Sequence, residues 1–276
     1  MIDVGANLLN GQFRGDLHAV LARARQAGIE HIVVTATSLD DARAAKELCA
    51  MHADLSCTAG VHPHLAKDVE PGWRERLLEL ARHPSVRAIG ETGLDFNRNF
   101  SPPEQQRHVF CKQIEVAGEL DMPLFVHDRD TDGAVHEELA EFRGPPEQVL
   151  IHCFTGTEED LKRYLDAGYS IGITGWLCDS SRGEDLRRLA PGIPLDRLLI
   201  ETDAPFLFPH GAAPPTGRRR RNEPCLLPFI AKTLAHLYGL PVEELVRHTT
   251  ANARRFFRLD TPQQGVQRVF PQRHGR

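Results

Sequence analysis

Eight short runs of apolar, largely β-branched residues recur along this 276-residue chain, and that alternation limits what it can fold into. They are Ile2–Val4, His31–Thr35, Leu55–Ala59, Val86–Gly90, Pro123–Val126, Val149–His152, Tyr169–Ile173 and Leu198–Glu201. Most are continuously apolar, as strands buried on both faces should be. Between them the apolar period is helical. In Leu17–Gly28 the residues Leu17, Val20, Leu21 and Ala24 fall at i, i+3, i+4 and i+7, and Gly28 supplies a stop. Pro102-Pro103-Glu104 opens a helix that runs to about Leu120. Thr157-Glu158-Glu159-Asp160 opens another, with acids in its first turn and Gly168 at its end. Strand starts lie roughly 20 to 37 residues apart, the size of one βα unit. Eight such units predict an α/β fold of the TIM-type (β/α)8 barrel, which typically takes about 250 residues. The alternative is an open doubly wound sheet. That fold wants a Gly-rich turn after its first strand, and Gly5-Ala6-Asn7 is not one. The barrel is expected to fill residues 1–260 as one domain. Leu240–Leu259 reads as one more helix after the eighth unit, and 261–276 as a flexible tail.

Composition excludes several classes. The 33 Lys and Arg against 38 Asp and Glu give a net charge of −5. That balance argues against a surface coated in positive charge for gripping duplex DNA, without excluding a local basic site. Hydrophobic residues at 41% and charged residues at 26% are ordinary for a globular chain and exclude a disordered one. No stretch approaches the roughly 18 apolar residues of a membrane helix. Met1-Ile2-Asp3-Val4-Gly5 has neither the basic nor the long apolar region of a secretory signal. The six cysteines include no C-x-x-C pair, which argues against a disulfide framework or a cysteine zinc site. A cytoplasmic monomer, away from membranes, is expected.

The chemistry collects just past the apolar runs. Strand three leads into Gly60-Val61-His62-Pro63-His64, and strand four into Gly90-Glu91-Thr92-Gly93-Leu94-Asp95. Strand five ends in His127-Asp128, strand six in His152-Cys153-Phe154 and strand eight in Glu201-Thr202-Asp203. In a parallel barrel these ends share one face, where the βα loops build the active site. A lone strand-end histidine is more often structural than a ligand. Imidazoles and carboxylates converging from five strands, however, are what a divalent cation needs. Glu91, His127 and His152 are the expected core ligands, with Glu91 also catalytic. Asp203 fits a further ligand or a general base, and His62 a ligand or an acid for the leaving group. His64 and Glu201 are placed beside the substrate, although His64 could simply cap its loop.

The run Arg218–Arg221 lies in the loop after strand eight, where barrels commonly bind phosphate. Arginine suits bidentate phosphate contact, so Arg220 and Arg221 are candidate substrate ligands, with Arg98 after strand four as another. Trp176, at the end of strand seven, either stacks on substrate or packs under its loop.

Four runs resemble the TatD family of metal-dependent deoxyribonucleases. They are Ala59–His64, Ile89–Phe96, His152-Cys153-Phe154-Thr155-Gly156 and Glu201-Thr202-Asp203-Ala204-Pro205. Asn97–Phe100, Gly172–Trp176 with Cys178-Asp179, and Arg220-Arg221-Asn222-Glu223-Pro224 extend the likeness from Asp3 to about Phe257. The resemblance implies an amidohydrolase-like barrel and a magnesium-dependent 3′-to-5′ exonuclease on single-stranded DNA. It also implies some activity on RNA and a role in DNA repair. Family metal positions carry over onto Glu91, His127 and His152, the catalytic aspartate onto Asp203, and the histidine near strand three onto His62. Many members carry an H-x-H pair where Gly5 and Asn7 stand here. One firm metal site is therefore expected, and a second that binds weakly or arrives with substrate phosphate. Two imidazoles suit Zn²⁺ or Mn²⁺ better than Mg²⁺. The expectation is turnover with Mg²⁺ or Mn²⁺, and Zn²⁺ in the isolated protein. Two rival readings are a small-molecule amidohydrolase or phosphoesterase on the same barrel, and a noncatalytic nucleic-acid binder. The Arg-rich loop speaks against the first, and five convergent polar strand ends against the second.

Overall fold

The computed structural model describes residues 1–216 and 221–260; the expected tail and Arg218, Arg219 and Arg220 lie outside these. The strands are β1 (Ile2–Ala6), β2 (His31–Val34), β3 (Leu55–Ala59), β4 (Val86–Asp95), β5 (Leu124–Arg129), β6 (Val149–His152), β7 (Ser170–Ile173) and β8 (Leu198–Ile200). They form one parallel sheet in sequence order, curled into a nearly closed barrel. The helices are α1 (Leu17–Gln26), α2 (Leu39–Met51), α3 (Trp73–Ala81), α4 (Pro103–Leu120), α5 (Ala134–Leu139), α6 (Glu158–Asp166), α7 (Glu184–Leu189), α8 (Leu227–Tyr238) and α9 (Val242–Phe256). Local signals act where the sequence places them. Thr157 and Asp160 close a capping box at the start of α6, and Gly28 turns the chain after α1 at φ +82°. Among the described residues no single helix is long and apolar enough to cross a membrane.

β4 is longer than its apolar run. It passes an irregularity between Ile89 and Thr92, then resumes pairing with β5, from Thr92 opposite Val126 to Asp95 opposite Arg129. Glu91 falls in that irregular stretch.

The pleat sets the height of the site. Ile2, Val4, Val33, Ala88, Phe125, Leu150 and Leu199 pack together inside the barrel, closed from below by Ala253, Phe256 and Phe257. Their strand neighbours, such as Leu124, Val126, Val149, Ile151, Leu198 and Ile200, face the surrounding helices. Side chains alternate along a strand, so the next inward position lies two residues on. His127 follows Phe125, His152 follows Leu150, and Glu201 follows Leu199. The polar mouth thus stands directly on an apolar floor, and the rings of Phe125 and His152 lie 4.5 Å apart. Each fully buried Val, Leu, Ile or Phe of that floor contributes about 1.5–3 kcal/mol.

The β8–β1 seam closes differently from the other pairs. It has one isolated bridge, Ala6 to Ala204. Beside it the Asp203 N–H donates to the Gly5 carbonyl at 2.8 Å, and the Asn7 N–H to the Ala204 carbonyl at 2.7 Å. Below it, buried Asp3 accepts from the Thr202 N–H at 2.9 Å and the Thr202 hydroxyl at 2.6 Å. Burial pushes the Asp3 carboxyl up to about 7, against the pull of those hydrogen bonds. A folded-state value above the unfolded one gives stability that is complete below about pH 4 and lost as pH rises through about 7. Asp3→Asn removes this titration. Between about pH 5 and about pH 8 the urea midpoint of the wild type should fall relative to that of the variant. Parallel midpoints across that range would contradict this account of the seam.

Candidate metal centre and active site

The loops above the floor enclose a cavity of about 580 Å³. Its lining includes His62, Glu91, His127, His152 and Asp203, so the five strand ends singled out in the sequence do meet. Glu91 Oε1 is the hub. It lies 3.1 Å from His127 Nδ1, 3.3 Å from His62 Nε2 and 3.7 Å from His152 Nε2. Asp203 Oδ1 stands 3.9 Å from His152 Nε2. Two donor groups capable of holding a cation result among the described residues: His62, Glu91 and His127, and His152, Cys153 and Asp203.

The supporting contacts fix how each group can act. His152 Nδ1 is bonded to Glu201 Oε2 at 2.7 Å, which turns Nε2 toward Glu91 and Asp203. The other oxygen of Glu201 accepts from the Cys153 N–H at 2.7 Å. His62 Nδ1 accepts the His64 N–H at 3.1 Å, which leaves Nε2–H facing Glu91. Asp95, buried at the end of β4, holds the His64 ring at 2.6 Å and the backbone N–H groups of Asn97 and Arg98. His127 Nε2 is buried and has no hydrogen-bond partner among the described residues, its distance to Asp95 being 3.4 Å.

Charge is concentrated here. Burial alone would raise the Glu91 carboxyl, but His62 and His127 hold it well below the usual carboxylate range. Burial opposes charge on His127 and His152. Asp95 and Glu91 nevertheless lift His127 to about 9, and Glu201 lifts His152 to about 10. Burial, reinforced by Glu91 and Glu201, pushes Asp203 up to about 7. The imidazoles thus take up protons to balance four carboxylates (Glu91, Asp95, Glu201, Asp203), a need that a divalent cation meets equally well. The orphaned His127 nitrogen and this acid-rich donor set fit such an ion.

Two sequence readings change, those of Glu201 and Arg221. Glu201 does not line the cavity. It is fully buried, and its carboxylate fills the space beside Gly5 and Gly172, where a Cβ would collide with it. A side chain at position 5 would have to displace that carboxylate. Asn7 donates its amide to Asp203 Oδ1 at 2.8 Å, so it orients the aspartate and its nitrogen faces the site. Arg221 points away. It pairs with Asp16 at 2.7 Å and Glu223 at 2.6 Å and donates to the Gln12 carbonyl, which anchors Arg221 beside the start of α1. Arg220 lies outside the described residues. Arg98 does line the cavity, as do His64 and Trp176. Arg129, at the end of β5, was not marked in the sequence and lines it too. Among the described residues neither Arg98 nor Arg129 has a carboxylate partner, whereas Arg182 is paired to Asp179 and stacks on Trp176 at 4.4 Å.

Residues 2–258 match the family described as TatD related DNase. The chain belongs to this family. Among curated relatives, the 3'-5' ssDNA/RNA exonuclease TatD of Erwinia billingiae is 47% identical over 260 residues, covering 94% of this chain and 99% of that protein. The exonuclease of the same name from Shigella flexneri is 43% identical over 257 residues, covering 93% and 98%. A TatD homolog of known structure from Escherichia coli superposes with a TM-score of 0.85 at 28% identity, covering 94% of this chain and 98% of that one. A TatD family hydrolase from Entamoeba histolytica gives 0.84 at 28% identity, covering 93% and 97%. The chain is a TatD family nuclease, a hydrolase of nucleic-acid ester bonds.

The Glu201 cradle is testable in this TatD family chain. Glu201→Gln keeps the volume but weakens the hold on His152. Divalent-metal affinity by calorimetry should fall about 10–100-fold with an unchanged circular-dichroism spectrum. Gly172→Ala should act in the same direction by displacing the carboxylate. Unaltered metal affinity in both variants would remove Glu201 from the centre.

Proposed function

We propose that this chain removes nucleotides from the 3′ end of single-stranded DNA, and of RNA, using a divalent cation held by Glu91, His127 and His152, with Asp203 beside it. The observation that carries this reading is the meeting of those donors around one cavity with Arg98 and Arg129, which have no carboxylate partner among the described residues. When bound there, the cation supplies Lewis-acid polarisation of the phosphate and favours ionisation of the attacking water. Mg²⁺ or Mn²⁺ is proposed for turnover, and Zn²⁺ as a tighter occupant because imidazole suits it.

The chain's own groups account for positioning and proton movement. Arg98 and Arg129 grip the phosphate oxygens at the mouth. Asp203, held by Asn7 and raised toward neutrality, accepts the proton of the attacking water. His62 presents Nε2–H to the site and hydrogen-bonds the departing 3′ oxygen, which takes its proton from solvent. Water is thereby divided across the broken phosphorus–oxygen bond. Glu91 keeps His62, His127 and His152 converged on one point.

A single-stranded oligonucleotide labelled at either end, incubated with EDTA and then with Mg²⁺, Mn²⁺ or Zn²⁺ restored, tests this directly. Stepwise loss from the 3′ end that stops with chelator is expected; internal cuts or chelator-resistant cleavage contradict it. Asp203→Asn should lower kcat by about 10²–10⁴-fold. Full activity in that variant would transfer the proton-accepting role elsewhere.

A further inference from the structure

Two large apolar side chains stand exposed at the mouth of the catalytic cavity. Phe100 is 52% exposed and Phe206 46%; among the described residues Met51 alone joins them as an exposed large hydrophobe. Single exposed apolar residues are ordinary. Two of them lining the same cavity as the catalytic groups are not scattered.

Topology places them across from each other. Phe100 lies in the loop after β4, and Phe206 in the loop after β8. Three strands lie between β4 and β8 on either side of the eight-stranded ring, so the two loops rise on opposite sides of the mouth. Each ring is carried on a braced segment. The Phe100 ring meets His64 edge-on at 4.7 Å, with the Arg98 guanidinium 6.0 Å from its centre. The Phe206 N–H donates to the Asp203 carbonyl at 3.0 Å. Buried Asn222 fastens the same loop through the Thr202 carbonyl at 2.8 Å and the Leu207 carbonyl at 3.2 Å.

We propose that Phe100 and Phe206 form a base-gripping site that takes unstacked nucleobases at the end of a single strand while Arg98 and Arg129 hold the phosphates. This rests on the nuclease reading and names what selects its substrate. Every base offers a π-face to an aromatic ring, so the grip tolerates any sequence. In a duplex those faces are covered by neighbouring pairs. A paired end must unstack before it can enter, and preference for single strands follows.

The test compares two oligonucleotides of one sequence, the second carrying abasic tetrahydrofuran residues at its last two positions. The wild type should show kcat/KM about 5- to 100-fold higher on the base-bearing end. Phe100→Ala and Phe206→Ala should each pull that ratio toward one, mainly through KM, and Phe206→Tyr should restore it. A wild type that cuts both substrates equally overturns the grip without any variant being needed. So does an alanine pair that loses rate on both substrates in proportion and keeps the ratio. Cleavage of neither substrate by the wild type is a failure of the nuclease reading itself.

Discussion

The carboxylate of Glu201 sits where the apolar interior of the barrel ends and its polar mouth begins. An unpaired carboxylate at that depth would be costly, yet both of its oxygens are satisfied, one by an imidazole and one by a backbone N–H. Much of the site follows from this placement. Gly5 and Gly172 leave room for it, His152 is turned by it, and His152 then faces Glu91 and Asp203. Replacing either glycine disturbs the centre from a strand that contributes no catalytic side chain.

A second constraint is the phase of the pleat. The floor of Phe125, Leu150 and Leu199 forces the next inward positions to be His127, His152 and Glu201. The same period that buries the core therefore sets the height of the donors. A one-residue slip in β5 or β6 would turn its histidine toward the helices.

This explains how far the sequence could be read. The eight apolar runs were legible because each strand is buried on both faces. The strand-end histidines and carboxylates were legible because they interrupt those runs. Pairings made across the fold left no local signal. Asn7 meets Asp203 and Arg221 meets Asp16 across most of the chain, and neither residue's neighbours reveal the partner. Glu201 looked like one more group at the mouth, because its burial depends on glycines in β1 and β7. Arg129 escaped notice because a single arginine after a strand is unremarkable until the cavity around it is known.

The seam between β8 and β1 has a consequence for the order in which this protein comes into being. Asp203 is held by the Gly5 carbonyl and the Asn7 amide, both delivered by the opposite end of the barrel chain. During synthesis the first strand emerges long before the eighth and has nothing to close against. The centre can assemble only after the ribosome has released the last strand and the ring has joined. A chain of this design thus completes its centre last, when its two ends meet.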